Sequence, residues 1–288
     1  MRKPALLLAA ALLLAPAFSR PLAAWGAQGH QMVASAALKD LPPELAPWFV
    51  GQEPTLRSHA NDPDHWKDRD PRERPRHYLD CEPYGGADQV PQSEAAASAW
   101  LGGELFVKCG RVPWSILDRV RRLAAAFRAG DPDQVGFEAA ILSHYVGDLH
   151  VPLHTTRNHN GQESGQHGIH GRWETGLLDR IVNLEGWVPE VRPAVLGADP
   201  EAAPWQWLQE SFQLVPRVLA DDRRAEAADV RGLDGLGRAY WQVFLRLQEP
   251  EVKERLTLAG QRTARMVVYA WTLAGRPQPP EVRLQASR

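Results

Sequence analysis

The chain has 288 residues and a mass of 32.1 kDa, with 44% hydrophobic and 24% charged residues, enough apolar sequence for a full core and too little charge bias for a disordered tail. Its 33 basic and 35 acidic residues leave a formal charge of -2, so no bulk positive field holds a polyanion or an anionic membrane, and such a partner has to be bound locally. Two cysteines, Cys81 and Cys109, are too few for a disulfide framework or a four-thiolate metal site, which turns attention to the 10 histidines.

At the amino end, Arg2 and Lys3 precede an apolar run from Ala5 to Ala15 that is too short to span a bilayer and has the form of a secretory signal. Residues 1–24 are therefore expected to be a leader that sends the protein out of the cell or into the periplasm. Two small-x-small cleavage signals compete. Ala15-Pro16-Ala17 would leave Phe18 first, and the looser Leu22-Ala23-Ala24 would leave Trp25 first. An oxidising compartment favours a Cys81–Cys109 bridge, with two free thiols as the alternative. No later stretch approaches the roughly 18 uninterrupted apolar residues of a membrane helix.

Beyond Trp25 the punctuation marks helices joined by polar or proline-rich loops. His30–Leu41 is a short apolar-periodic stretch stopped by Pro42-Pro43, and Pro113 opens a helix through Ile116, Val120, Leu123 and Phe127 that ends at Gly130. Asp131-Pro132-Asp133 starts another, with Phe137, Ile141, Leu142 and Tyr145 at helical spacing and Pro152 at its close. The segments Trp205–Leu219, Leu233–Leu247 and Val252–Leu273 repeat the pattern, and none has the alternation or β-branched density of a sheet. The predicted class is all-α, with one multi-helix domain over residues 25–275 and a flexible tail over 276–288. Residues 53–110 and 158–168 read as loops rich in Gly, Pro, Asp and His, and loops that long need something to organise them.

Chemistry concentrates in three places. In His144-Tyr-Val-Gly-Asp148-Leu-His-Val-Pro-Leu-His154, positions four apart share a helix face, so the His144 imidazole and Asp148 carboxylate can converge. Pro152 ends the helix and turns His154 onto a separate path. Zinc takes imidazole nitrogen and carboxylate oxygen at about 2.0–2.2 Å, and a two-oxygen carboxylate such as Asp148 can bridge two ions. A single His–Asp pair at this spacing is more often an ordinary surface pair. Here, however, His170-Gly-Arg-Trp-Glu174 repeats the spacing, and a third cluster lies upstream in Asp62-Pro-Asp64-His-Trp-Lys67 and His77-Tyr-Leu-Asp80. Asp62-Pro63-Asp64 alone reads as a turn. The weight lies in the three clusters together.

In this order the residues resemble the zinc-dependent single-strand nucleases, or type I nucleases, and their relatives the zinc-dependent phospholipases C. The resemblance starts at Trp25-Gly-Ala-Gln-Gly-His30, which is similar to the mature amino terminus of the nucleases, and runs to Glu174. It implies an all-α fold around three zinc ions. One is held by Asp64, His77, His144 and Asp148, and a second by His154, His170 and Glu174. The third takes the amine and carbonyl of Trp25, with His30 and Asp148. The remaining histidines, His59, His65, His150, His159 and His167, then stand exposed or behind the ligands. Glu174 occupies a place where the nucleases usually carry Asp, and it is the phospholipase choice; the 16-residue step from His154 to His170 is also short for a nuclease. The step of five from Trp25 to His30 and the His-aromatic-aliphatic-Asp segment are nuclease-like. Asp62 fits the nuclease spacing and Asp64, with Lys67, the local acid-x-x-basic pattern; Asp64 is taken as the ligand.

The implied activity is phosphodiester hydrolysis, on single-stranded DNA or RNA first and on phospholipid head groups as the alternative. A catalytically silent zinc-binding helical protein is the non-enzymatic alternative. Three divalent ions against three carboxylates leave one strongly positive cleft in a nearly neutral protein, and zinc brings the pKa of water toward ~7, making it a nucleophile for phosphorus. Asp80 is the candidate to orient or deprotonate that water, with Asp148 the other catalytic carboxylate, and Tyr78 or Trp66 can stack on a base. Trp48, Trp66, Trp100 and Trp114 are candidates for a base-facing or lipid-facing rim. The sequence implies no protein partner, and a monomer is expected.

Overall fold

The computed structural model describes residues 25–280 except 182, 183, 185, 186, 188, 189, 191–193 and 230–235. The predicted leader and the end of the predicted tail lie outside the described residues. In chain order the α-helices are α1 (Gly26–Lys39), α2 (Glu53–His59), α3 (Asp62–Trp66), α4 (Glu94–Leu101), α5 (Gly103–Cys109), α6 (Val112–Ala129), α7 (Pro132–Leu149), α8 (Ile169–Gly171), α9 (Ala203–Ala228) and α10 (Arg238–Leu273). A π-helical turn, Arg172–Gly176, continues α8. The described residues hold no strand beyond an isolated antiparallel bridge between Leu79 and Gly110, so the chain is all-α.

Helix α7 is the axis of the molecule, packed against α1, α2, α6 and α10. Every residue from Glu138 to Leu149 is buried, which matches a helix apolar on all sides at this stretch. The Asp131 carboxylate caps its start by accepting from Gln134 N–H at 3.0 Å, with Pro132 in the first turn. Gly130, at φ 68, ends α6 just before it. One apolar cluster, containing Trp48, Phe127, Ile141 and Tyr145, lies to one side of α7; a second, containing Trp25, Trp173, Tyr240 and Phe244, gathers around α1, α8 and α10. His144 and Asp148 are thereby carried into the interior.

Three sequence expectations differ from the structure. The segment 53–110 is not simply loop, since α2 to α5 lie within it. Helices of five to eight residues are too short to show periodicity or to stand alone, and they persist through packing, as α2 does against α1 and α7. The predicted break between Leu247 and Val252 is absent: α10 runs through Pro250 for 36 residues. Of the predicted Leu233–Leu247 helix, residues 233–235 lie outside the described residues, and α10 itself starts at Arg238. Finally, the start of the predicted tail is tied down, because the Pro277 carbonyl accepts from the indoles of Trp48 at 3.2 Å and Trp271 at 2.9 Å.

One irregular segment matters for the site. Residues 77–81 lie between two others: Leu79 N–H donates to His154 C=O at 2.9 Å, and Asp80 N–H to Cys109 C=O at 2.7 Å. Arg111 N–H donates to Pro75 C=O at 2.6 Å and Val112 N–H to Tyr78 C=O at 3.1 Å. Gly110 permits this approach, having φ 87 and no side chain; a Cβ there would stand 2.2 Å from the Tyr78 carbonyl oxygen. Cys81 and Cys109, on these neighbouring segments, are buried free thiols.

Candidate active site

The first cluster forms where α7 meets α3 and the 77–81 segment. His144 Nδ1 donates to the Ala60 carbonyl at 2.7 Å, and since a carbonyl only accepts, Nε2 of the neutral ring is left with its lone pair facing inward. That nitrogen lies 3.2 Å from Asp148 Oδ2, 3.1 Å from His77 Nδ1 and 3.6 Å from Asp64 Oδ1. His77 Nδ1 is 2.8 Å from Asp148 Oδ2 and 3.8 Å from Asp64 Oδ1. Of the two upstream acids, Asp64 faces this point and also pairs with Lys67 at 2.5 Å, whereas Asp62 turns away to bond His59 Nδ1 at 2.7 Å.

The second cluster joins the turn after α7 to α8. His154 Nδ1 donates to the His77 carbonyl at 2.6 Å, and His170 Nδ1 to the His159 carbonyl at 3.3 Å. The freed Nε2 atoms each stand 3.0 Å from one oxygen of Glu174. Their rings lie nearly parallel, with centroids 5.0 Å apart.

Asp148 connects the clusters and reaches a third place. Its Oδ2 faces His77 and His144, while Oδ1 lies 3.6 Å from His30 Nε2 and 3.7 Å from His154 Nδ1. The His30 ring stacks on His144 at 3.8 Å. Trp25 stands at the cap position just before α1, five residues ahead of His30; it is wholly buried, and its indole N–H donates to the Gly147 carbonyl at 2.7 Å. The nine residues singled out for metal therefore sit on one connected surface around Asp148.

The electrostatics match a site built for cations. Burial pushes the Asp148 and Glu174 carboxyls up, but the surrounding imidazoles outweigh it, leaving Asp148 well below the usual range and Glu174 at about 2. Burial, then His144, lowers His30 to about 3 and keeps it neutral. Both His30 ring nitrogens, both oxygens of Glu174, and Asp148 Oδ1 have no hydrogen-bond partner among the described residues, although imidazoles or carboxylates stand close by. Buried polar atoms are rarely left so. Three groups of potential ligand atoms, His30–Asp64–His144, His77–His144–Asp148 and His154–His170–Glu174, each lie within 4.8 Å of one another, the first two sharing His144. This nitrogen-and-oxygen donor set, free of thiolate, fits zinc.

The site floors a cavity of about 740 Å³, where Asp64, His77, His154 and His170 reach the surface. Tyr78 and Asp80 form part of its wall. The Tyr78 hydroxyl donates to the Lys108 carbonyl at 3.0 Å. Burial, then Glu82, raises the Asp80 carboxyl to about 7. The four tryptophans proposed for the rim need correction. Trp48 and Trp114 are in the core, Trp66 packs on Phe137 and under Arg119, and only Trp100 is exposed, against Tyr84. Amphipathic indoles serve cores as well as rims, and sequence does not separate the two uses. His150, grouped with exposed or supporting histidines, is fully buried on the far side of α7, where Arg262 Nη1 donates to its Nε2 at 3.0 Å.

Two supporting groups were not singled out from the sequence. Glu73, four residues before His77, is buried beside its Nε2 at 3.5 Å and accepts from the Tyr145 hydroxyl. Arg172, between His170 and Glu174, donates from Nη2 at 2.8 Å and Nε at 3.0 Å to the buried Asp222 of α9. Asp222 also accepts from Tyr240 and, at 2.8 Å, from Gln166 of the loop before His170. Partners drawn from 50 or more residues away leave no local pattern.

Comparison with curated proteins gives no match. The family model described as S1/P1 Nuclease matches residues 25–270, beginning at the tryptophan that opens α1 and taking in all the clusters. With that match covering most of the chain, over an all-α fold with clustered imidazoles and carboxylates, the protein belongs to the S1/P1 nuclease family of zinc-dependent hydrolases acting on phosphodiester bonds.

Proposed function

We propose that the protein is an exported endonuclease for single-stranded DNA and RNA that works with three zinc ions. The observation carrying this reading is the convergence of buried imidazoles and carboxylates around Asp148, with ligand atoms within 4.8 Å of one another, at the floor of one open cavity. Asp64, His77, His144 and Asp148 would hold one ion, His154, His170 and Glu174 a second, and His30 and Asp148 a third with the backbone of Trp25. The ions supply Lewis acidity and bring the pKa of water toward ~7.

The protein's own groups position the reactants. Backbone carbonyls of Ala60, His77 and His159 fix the proton on Nδ1 of His144, His154 and His170 and so aim each Nε2 at the site. Asp80, raised to about 7, is poised to exchange a proton with water or substrate near neutrality. Tyr78, held by its hydroxyl bond to Lys108, offers a ring face to an unstacked base. The family match starting at Trp25 supports cleavage after Ala24, which would free the Trp25 amine for the third ion, with residues 25–275 as the mature domain, 276–288 as its tail and secretion or a periplasmic location. No helix among the described residues is long and apolar enough to cross a membrane.

The competing substrate is a phospholipid head group, favoured by Glu174 in place of aspartate. Rates on denatured DNA, RNA and a soluble phosphatidylcholine analogue separate the two. The nucleic acids are expected to be cut faster, and EDTA is expected to stop the reaction; faster cleavage of the lipid would move the assignment to the phospholipases. Metal binding without hydrolysis of either substrate would mark a silent protein.

A further inference from the structure

The cleft has a second charged feature that the metal site does not use. Among the basic residues on the cavity wall, Lys67 is engaged with Asp64 at 2.5 Å. Arg74 and Lys108 also line the wall and are exposed, and neither side chain has a carboxylate partner among the described residues. Their neighbours show the contrast: Arg72 pairs with Asp70, Arg76 with Glu73, and Arg111 with Glu94 and Asp118. In a chain of formal charge -2, two cations left unpaired at one edge of one cavity stand out.

They are brought to that edge by the same backbone pairing that holds Tyr78. The bonds from Arg111 N–H to Pro75 C=O and from Val112 N–H to Tyr78 C=O lock the residues after Arg74 to those after Lys108, and Gly110 allows the approach. The Tyr78 hydroxyl closes the set by donating to the Lys108 carbonyl. Arg74 and Lys108 thus flank the aromatic ring proposed to receive a base, set apart from the carboxylates on the cavity floor. A small diester or a phospholipid places its one phosphodiester at the metals and has nothing further for these cations. A polynucleotide presents another phosphate about one nucleotide away along its backbone.

We propose that Arg74 and Lys108 form a phosphate subsite, at the Tyr78 edge of the cavity, for a phosphodiester of a single-stranded polynucleotide next to the one being cut. This rests on the nuclease reading and deepens it by naming what distinguishes a chain from a small diester. It also assigns the affinity for a polyanion to a local pair of charges instead of to net charge.

The test uses the mature zinc-loaded protein and its Arg74→Gln/Lys108→Gln variant. kcat/KM is measured against a single-stranded oligonucleotide and against bis(p-nitrophenyl) phosphate, which has one phosphate only, over a range of salt concentration. The oligonucleotide value should fall at least about tenfold in the variant, the scale of one lost charge-assisted hydrogen bond. The steepness of its log–log salt dependence should drop by roughly 1.4, from about 0.7 for each contact to a single strand. The small diester should change by less than about twofold, since the reacting phosphate meets neither side chain. An Arg74→Lys/Lys108→Arg variant, which keeps both charges, should retain the wild-type salt slope. Equal losses on both substrates, or an unchanged salt slope, would overturn the subsite. Wild-type protein that cleaves the small diester but no nucleic acid would instead remove the nuclease reading beneath it.

Discussion

Asp80, proposed above as the proton-transfer group, carries a carboxyl that burial makes costly to ionise. Its carboxyl is raised from an ordinary 3.8 to about 7 by burial and then by Glu82, so it is harder to ionise in the folded chain than in the unfolded one. A group of that kind binds its proton more tightly when folded, and its contribution to stability declines as pH rises from near 3.8 through about 7. Over the same window the ionised carboxylate, the form able to accept a proton, becomes populated. Asp80→Asn is therefore expected to flatten this part of the melting temperature against pH while lowering kcat by about 100-fold or more, the usual scale of a proton-transfer group. Melting curves and kcat from pH 5 to 9 on both proteins check it; a variant whose kcat falls by less than about tenfold across that range removes Asp80 from the proton path.

Helix α7 and the α8–π-turn unit divide the labour at the next scale up. Helix α7 fixes His144 and Asp148 by being buried on every side, and the α8 unit fixes His170 and Glu174 through Arg172 and the Asp222 carboxylate beneath it. Removing one partner of such a buried pair strands the other charge, at a cost of about 3–5 kcal/mol. Arg172→Met should show that loss in denaturant unfolding, and it should weaken zinc binding by about 10- to 100-fold, as loss of an orienting partner commonly does. Unchanged affinity in a competition titration with a chromophoric chelator would mean that the clamp serves the fold alone. How much of this was readable beforehand follows from where the information lies. The four-residue steps from His144 to Asp148 and from His170 to Glu174 are local and survive in the sequence, as do the caps at Gly130 and Asp131. The carbonyls that set the ring tautomers belong to the backbone and Asp222 behind Arg172 is long-range, whereas Glu73 stands four residues before His77, a local step that the sequence reading passed over. Short helices such as α3 exist only by packing, and Pro250 sits in a helix whose neighbours hold it together, so local rules miss both.

Taken whole, the molecule is a nearly neutral helical body that gathers buried imidazoles and carboxylates around Asp148. There the His30 ring nitrogens, the Glu174 oxygens and Asp148 Oδ1 are buried without hydrogen bonds among the described residues, which is costly, and ions that meet those atoms return the cost as folding stability. Chelation should therefore lower the melting temperature as well as abolish hydrolysis, and both should recover when zinc is restored. The most direct measurement of the central claim is elemental analysis of metal per chain on the fully processed protein, purified without added chelator. Three zinc atoms for each chain are expected, one for each of the three ligand sets proposed around Asp148. Processed protein that hydrolyses phosphodiesters while carrying no zinc or other transition metal would contradict the account.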